Sequence, residues 1–426
     1  MQKLFNLTRK VVRGYKNISP KTQAYIDSEA KTNCQNYAPI EVVIAKGEGA
    51  YLWDVDGKRY IDCVAAYSAL NQGHMHPRIK KAFIDQLDNI TLTSRAVYND
   101  KLGLATDFLT KTFDYDKAIL MNSGVEAGET AIKFARKWAY VRKGVPDNQA
   151  WVLFAKNNFW GRTIAACGSS NDPDRYEKFG PFEGLNFKII EYNNLAVLEN
   201  EFKTNKNIAA YYFEPVQGEG GVIIPDKGYL KEVRRLCDKY NVLMICDEIQ
   251  TGLGRTGTML CQDHENVKAD MVCLGKALSG GFMPVSAVLG TNEVFDCIKP
   301  GMHGSTYGGN PLACVTAIES IKVLQEENMV ENSKVMGERL VKGLAYGLKG
   351  NKTIKDVRGL GLFVAVEVKS DSGVDLKKVI HKLLGKGVLC KQTQTYTLRL
   401  APPLVITKEQ TDEIIGKLVD VLNEYA

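Results

Sequence analysis

No apolar run in the 426 residues approaches the roughly 18 needed to cross a bilayer, the longest candidates being 242–246 and 361–366, so a membrane-spanning helix is excluded. Histidine is scarce, five in all, and no Ser-His-Asp order stands out among them. The Gly-x-Ser-x-Gly elbow of the α/β-hydrolases is missing too, which removes that reading. Ten cysteines contain no Cys-x-x-Cys spacing; Cys246, Cys273 and Cys390 fall in apolar runs that read as buried strands, so the set reads as reduced core residues in a thiol-keeping compartment. There is no internal repeat, low-complexity segment or Gly-rich linker. With 45% hydrophobic and 24% charged residues, the chain is an ordinary globular one with room for two or three domains.

Charge of one sign is also lacking once position is considered. The net +6 is carried entirely by Lys3, Arg9, Lys10, Arg13, Lys16 and Lys21, which precede the first acid, Asp27. The body beyond them is neutral and gives no support to a nucleic-acid surface. The first 26 residues set Leu4, Leu7 and Val11 at helical spacing among those bases, which suits a mitochondrial targeting leader; a frayed basic terminus on a cytoplasmic protein is the alternative.

What is present is alternation. Strands are expected at 118–121, 150–155, 208–213, 242–246 and 271–274, with helices over 125–143 and 229–239 between them. This is the pattern of an α/β fold, a mostly parallel sheet flanked by helices. Before it, 51–63 reads as a hairpin closed by a type I′ turn at Asp56-Gly57. After about residue 325 the order changes to strands at 362–368, 388–389 and 397–400, a helix over 375–384, and a last helix announced by the capping box Thr407 and Gln410. The expected division is a leader at 1–26, an N-terminal segment at 27–70, a large domain at 71–325 and a smaller α+β domain at 326–426.

Two patterns attract notice and carry little. Gly252-Leu-Gly254-Arg-Thr-Gly257 fits a dinucleotide fingerprint, but no long apolar helix follows it, so these glycines read as a tight loop. His74-Met75-His76 has no acid or cysteine near it in sequence and reads as a loop before Pro77; no metal site is expected.

Stronger is the strand at 242–246 delivering Asp247, followed by the strand at 271–274 delivering Lys276. In an open α/β sheet ligands gather beyond the carboxyl ends of the strands, so both side chains should reach one crevice. An arbitrary acid and lysine placed so would form an ordinary salt bridge. A third element changes that reading: Ser123-Gly124-Val125 opens a helix after a strand, where free N–H groups face a phosphate. A lysine that can lose its proton, a buried carboxylate and a phosphate cradle are the three things pyridoxal 5′-phosphate requires.

Asn122-Ser-Gly-Val-Glu-Ala127, Phe159-Trp-Gly-Arg-Thr163, Glu214-Pro-Val-Gln-Gly-Glu219, Asp247-Glu-Ile-Gln-Thr-Gly252, Leu274-Gly-Lys-Ala277 and Gly304-Ser-Thr-Tyr-Gly-Gly-Asn310 resemble the class III aminotransferases of PLP fold type I, from about residue 34 to the end. Within that family the similarity is greatest to the ornithine-using branch. The resemblance implies covalent attachment of the cofactor at Lys276, an Asp247 partner for its ring nitrogen, Gln250 at the ring hydroxyl and Phe159 stacked on the ring. Ser123, Gly124 and Val125 would hold the phosphate, and Ser305 and Thr306 would reach it from a neighbouring subunit of a homodimer or higher homo-oligomer.

The same resemblance implies the substrate side. Arg162 would clamp a carboxylate. Tyr37 and Tyr67 would hold the far end of ornithine, and Trp160 stands where acetylornithine enzymes usually carry histidine. Glu219 and Arg399 would form a salt bridge that closes for ornithine and opens for 2-oxoglutarate; a static surface pair is the other reading. The implied activity is transfer of the δ-amino group of ornithine to 2-oxoglutarate. The alternatives are an acetylornithine or 4-aminobutyrate aminotransferase, or a noncatalytic binding protein of the same fold.

Overall fold

The structure, a computed structural model, describes residues 18–426. Most of the expected leader lies outside these residues, and its boundary at 26 falls inside a helix, Pro20–Thr32. Ser19 caps that helix by accepting from the Thr22 N–H, with Pro20 in the first turn. The hydroxyls of Ser19 and Thr22 then donate to Asp56 at 2.5 and 2.9 Å, fastening the helix to the body.

Strands β1 (Ile44–Glu48), β2 (Tyr51–Asp54) and β3 (Arg59–Asp62) form an antiparallel meander. The expected hairpin is there, but its turn is not type I′: Gly57 has φ 83°, whereas Asp56 is absent from the positive-φ residues that type I′ requires. The cause is Asp54, whose Oδ1 accepts from the N–H groups of Asp56 and Lys58 and fixes a different turn.

The central sheet contains β4 (Lys117–Met121), β5 (Trp151–Ala155), β6 (Phe187–Ile190), β7 (Ile208–Phe213), β8 (Leu243–Asp247), β9 (Met271–Leu274) and β10 (Ser286–Gly290) in the order β4-β10-β9-β8-β7-β5-β6. From β6 to β9 neighbouring strands are parallel; β10 runs antiparallel to both β9 and β4. All residues of β7, β8, β9 and β10 are buried, which is why their sequences are continuous apolar runs. Alternate residues feed opposite faces: Tyr211 and Phe213 enter one core cluster, Ala210 and Tyr212 the other.

The remaining strands are β11 (Ile354–Leu360), β12 (Phe363–Val368), β13 (Val388–Leu389), β14 (Lys391–Thr393) and β15 (Thr397–Leu400). Four of them make a sheet in the order β11-β12-β15-β14, while β13 joins the N-terminal meander, parallel to β3. The last helix, Lys408–Asn423, begins with the expected reciprocal capping box between Thr407 and Gln410. No helix among the described residues is long and apolar enough to cross a membrane.

Candidate active site

Asp247 is the last residue of β8 and is buried. Its Oδ2 accepts the Tyr212 hydroxyl at 2.6 Å and its Oδ1 accepts the Ile249 N–H at 3.0 Å. Burial raises its pKa, against the pull of these hydrogen bonds and of Lys276. Lys276 opens a 3₁₀ turn, Lys276–Ser279, just after β9, with φ at 44°, a left-handed conformation that a non-glycine residue holds at a cost. Desolvation lowers its pKa, against the carboxylates of Asp247 and Glu219. Lys276 and Asp247 therefore share one crevice, yet no hydrogen bond or ion pair among the described residues engages the Lys276 amine. The ordinary salt bridge is not what this pair forms.

Another buried acid went unassigned by sequence. Glu214, directly after β7, accepts the N–H groups of Phe159 and Gly218, each at 3.0 Å. Burial and the neighbouring Asp247 push its pKa up to about 8. A Glu-Pro step at the end of a wholly apolar strand was the available signal.

On the opposite wall, Arg399 of β15 donates to Glu219 Oε1 at 2.6 Å and to Gln250 Oε1 at 3.3 Å. The pair is not a surface one, because Arg399 is 5% exposed. Gly218 makes the approach possible: a Cβ there would sit 1.9 Å from Gln250 Oε1. The Arg399 guanidinium also lies 5.4 Å from the centre of the Tyr67 ring.

Tyr67 is carried by an unusual segment. Ala65, Ala66, Tyr67 and Ser68 all have φ between 45° and 68°, a left-handed turn costing about 1–2 kcal/mol per residue. Asp62 holds it by accepting from the N–H groups of Val64 and Ala65, while its other oxygen meets His74 Nε2 at 2.7 Å. His74 is thus part of a clamp, and His76 pairs with Glu327 at 3.1 Å. Among the described residues no cluster of three or more His, Cys, Asp or Glu side chains could hold a metal ion.

Other expected site residues are placed differently from one another. Phe159 lies under two guanidinium groups, Arg162 at 5.8 Å and Arg175 at 4.7 Å from the ring centre; Arg175 was not anticipated. Trp160 is buried beneath the site, stacked on Phe154 and bonded through its indole N–H to Ser169 at 2.8 Å, so its contacts are with the core. Tyr37 is 60% exposed and makes no hydrogen bond among the described residues.

At the head of helix Gly124–Trp138, Ser123 and Glu126 form a capping box. The Ser123 N–H and hydroxyl both go to Glu126 Oε2, at 2.6 and 2.9 Å, so the free donors of the turn are the N–H groups of Gly124 and Val125. Ser305 Oγ accepts from Asn122 Nδ2 at 3.0 Å, which brings the 304–310 segment to the same turn; Thr306 is exposed.

Pyridoxal 5′-phosphate fits these residues. The unpaired amine of Lys276, the buried carboxylate of Asp247 and the two undonated N–H groups at a helix start answer to its aldehyde, ring nitrogen and phosphate. A separate cavity of about 550 Å³, lined by Ile132, Arg136, Phe187 and Met302 among others, contains none of the three.

Comparison with known proteins agrees. The family described as Aminotransferase class-III matches residues 32–422. A Caenorhabditis elegans protein named probable ornithine aminotransferase, mitochondrial, is 51% identical over 97% of this chain and 96% of its own length. The crystal structure of ornithine aminotransferase from Toxoplasma gondii ME49 superposes with a TM-score of 0.93 at 45% identity, covering 96% of each chain. An acetylornithine aminotransferase from Elizabethkingia anophelis superposes at 0.86 with 41% identity, covering 95% of this chain and 99% of that one, so the fold is shared by enzymes of different substrate. With a family match across nearly its whole length and a crevice that fits the cofactor, the chain belongs to the class III aminotransferases.

Proposed function

We propose that this chain transfers the δ-amino group of ornithine to 2-oxoglutarate, giving glutamate-5-semialdehyde and glutamate. The observation that carries the reading is the Glu219–Arg399 pair, 2.6 Å long and set into the wall of the crevice that holds Lys276. One pocket must accept a δ-amine next to a plain methylene and an α-amine next to a carboxylate. With Glu219 on Arg399 that guanidinium is covered, and ornithine is held by its distant carboxylate at Arg162, with Tyr37 and Tyr67 beside its chain. With Glu219 swung away, Arg399 takes the α-carboxylate of glutamate or 2-oxoglutarate.

Pyridoxal phosphate, when bound, supplies an aldehyde that condenses with amines and a ring that takes up the electrons of the carbon losing its proton. Lys276 would hold the cofactor and, as a free amine, would move the proton from the δ-carbon; burial lowers its pKa, in the direction that role calls for. Asp247 keeps the ring nitrogen protonated, with the Tyr212 hydroxyl orienting the carboxylate. Phe159 would cover the ring, Gln250 would meet its hydroxyl, and the N–H groups of Gly124 and Val125 would receive the phosphate, with Ser123 shaping the turn.

The same reading extends to assembly and location. By the family resemblance Ser305 and Thr306 would complete the phosphate site of a neighbouring subunit, with Ser305 also bracing its own chain's turn through Asn122, so that a homodimer is the smallest active unit. The basic leader and the naming of the Caenorhabditis elegans relative support a mitochondrial site of action. A donor panel of ornithine, N-acetylornithine and 4-aminobutyrate at fixed 2-oxoglutarate tests the activity: ornithine should have the highest kcat/KM, and a better donor in the panel refutes the reading.

A further inference from the structure

Antiparallel pairing of β14 with β15 sets Lys391 directly opposite Arg399. Like charges facing each other across such a pair repel, so the placement calls for anions that offset it. Arg399 has one in Glu219. Lys391 has none: among the described residues its ammonium forms no ion pair, and its hydrogen bond goes to the neutral hydroxyl of Tyr67. Both cations lie against the same ring, Lys391 at 4.9 Å and Arg399 at 5.4 Å from its centre. Around the Tyr67 ring this wall therefore sets two positive charges against one carboxylate, with Lys276 and Arg175 acting on Glu219 from farther off.

β14 and the residue after it are tied to Glu219 as well. Thr393 Oγ1 and Gln394 Nε2 both donate to the Glu219 carbonyl, at 2.8 and 2.9 Å. The Glu219 main chain is thus fixed independently of its carboxylate, which is held by Arg399. The Tyr67 oxygen, already accepting from Lys391, keeps its own proton to donate to an acceptor in the crevice.

We propose that Lys391 is a specificity residue for the dicarboxylate substrate, its ammonium and the Tyr67 hydroxyl engaging the carboxylate that Arg399 receives when Glu219 leaves. The inference rests on the transamination reading above. With Glu219 closed, the wall carries one net positive charge, which favours no ammonium near it. With Glu219 open it carries two, matched to a substrate that brings a carboxylate to this wall and no amine. Lys391 thereby favours 2-oxoglutarate over ornithine at the same wall.

The test uses the cofactor-loaded enzyme and glutarate, an unreactive dicarboxylate, with binding read by calorimetry. Lys391→Gln keeps an N–H donor for Tyr67 but removes the charge. It should raise the glutarate Kd about tenfold and lower the ratio of kcat/KM for 2-oxoglutarate to that for ornithine by a similar factor, while Lys391→Arg restores both to within threefold. A Gln variant within threefold of wild type on both measures, or an Arg variant as weak as the Gln one, overturns the proposal. If wild-type enzyme binds glutarate in this Lys391-dependent way but does not use ornithine, the transamination reading fails and the anion site stands.

Discussion

Replacing Glu219 by alanine strips Arg399 of its carboxylate and leaves Gln250, at 3.3 Å, as its hydrogen-bond acceptor on this wall. Removing one member of a buried ion pair costs about 3–5 kcal/mol, because the other charge stays behind uncompensated. Here the Arg399 side chain is 5% exposed but the Glu219 side chain 23%, so water relieves part of that cost and the working figure is about 1.5–3 kcal/mol. In the native protein an incoming glutamate must displace Glu219 before its α-carboxylate reaches Arg399. The alanine variant removes that competition, and at about 1.4 kcal/mol per factor of ten the preference for glutamate over ornithine should rise roughly 10- to 150-fold. Single-turnover rates with each amine, followed by the cofactor absorbance, give the two kcat/KM values. A second substitution, Arg399→Met, should abolish the gain, since the two residues act as one unit. A glutamate-to-ornithine ratio within twofold of wild type would refute the gating argument.

Three further outcomes are expected. Lys276→Ala should leave a protein without the yellow absorbance of lysine-bound cofactor and slow turnover by roughly a thousandfold or more; a normal spectrum and rate would remove Lys276 from its role. Gly218→Ala drives a Cβ into Gln250, 1.9 Å from its Oε1, and should lower stability by about 1–3 kcal/mol, checked by denaturant unfolding; an unchanged midpoint would show that the contact yields freely. Glu214 has its pKa raised from 4.5 to about 8, so the stability its protonated form contributes is whole below the ordinary glutamate pKa and is lost as pH rises through about 8. Unfolding free energies of Glu214→Gln and wild type should therefore diverge in the variant's favour across that window, and parallel pH curves would count against it.

Much of the scaffold was legible because its signals are local. The continuous apolar strands ending in Asp247 and Lys276 follow from a sheet covered on both faces, and the strand-end rule sent both side chains to one crevice. The Thr407 capping box needs only a hydroxyl and an amide three residues apart. Short strands without a run of their own, β6 and β10, escaped, and so did the antiparallel insertion of β10 between β4 and β9.

The chemistry at the wall of the crevice was less legible. Motif resemblance paired Glu219 with Arg399 but could not say that the pair is nearly enclosed, nor that Trp160 turns into the core. The left-handed turn under Tyr67 runs against the preference of every L-residue in it, and the Asp62 clamp, accepting from two N–H groups and reaching across to His74, helps the turn's own backbone bonds to hold it. The raised pKa of Glu214 comes from burial beside Asp247, which the fold brings up from the next strand, and the charge opposite Arg399 from the register of β14 on β15. Sequence alone determined which side chains arrive at the strand ends, because periodicity and caps are properties of neighbours along the chain. Tertiary structure decided what those side chains face, because distance, enclosure and register are set only when remote segments meet.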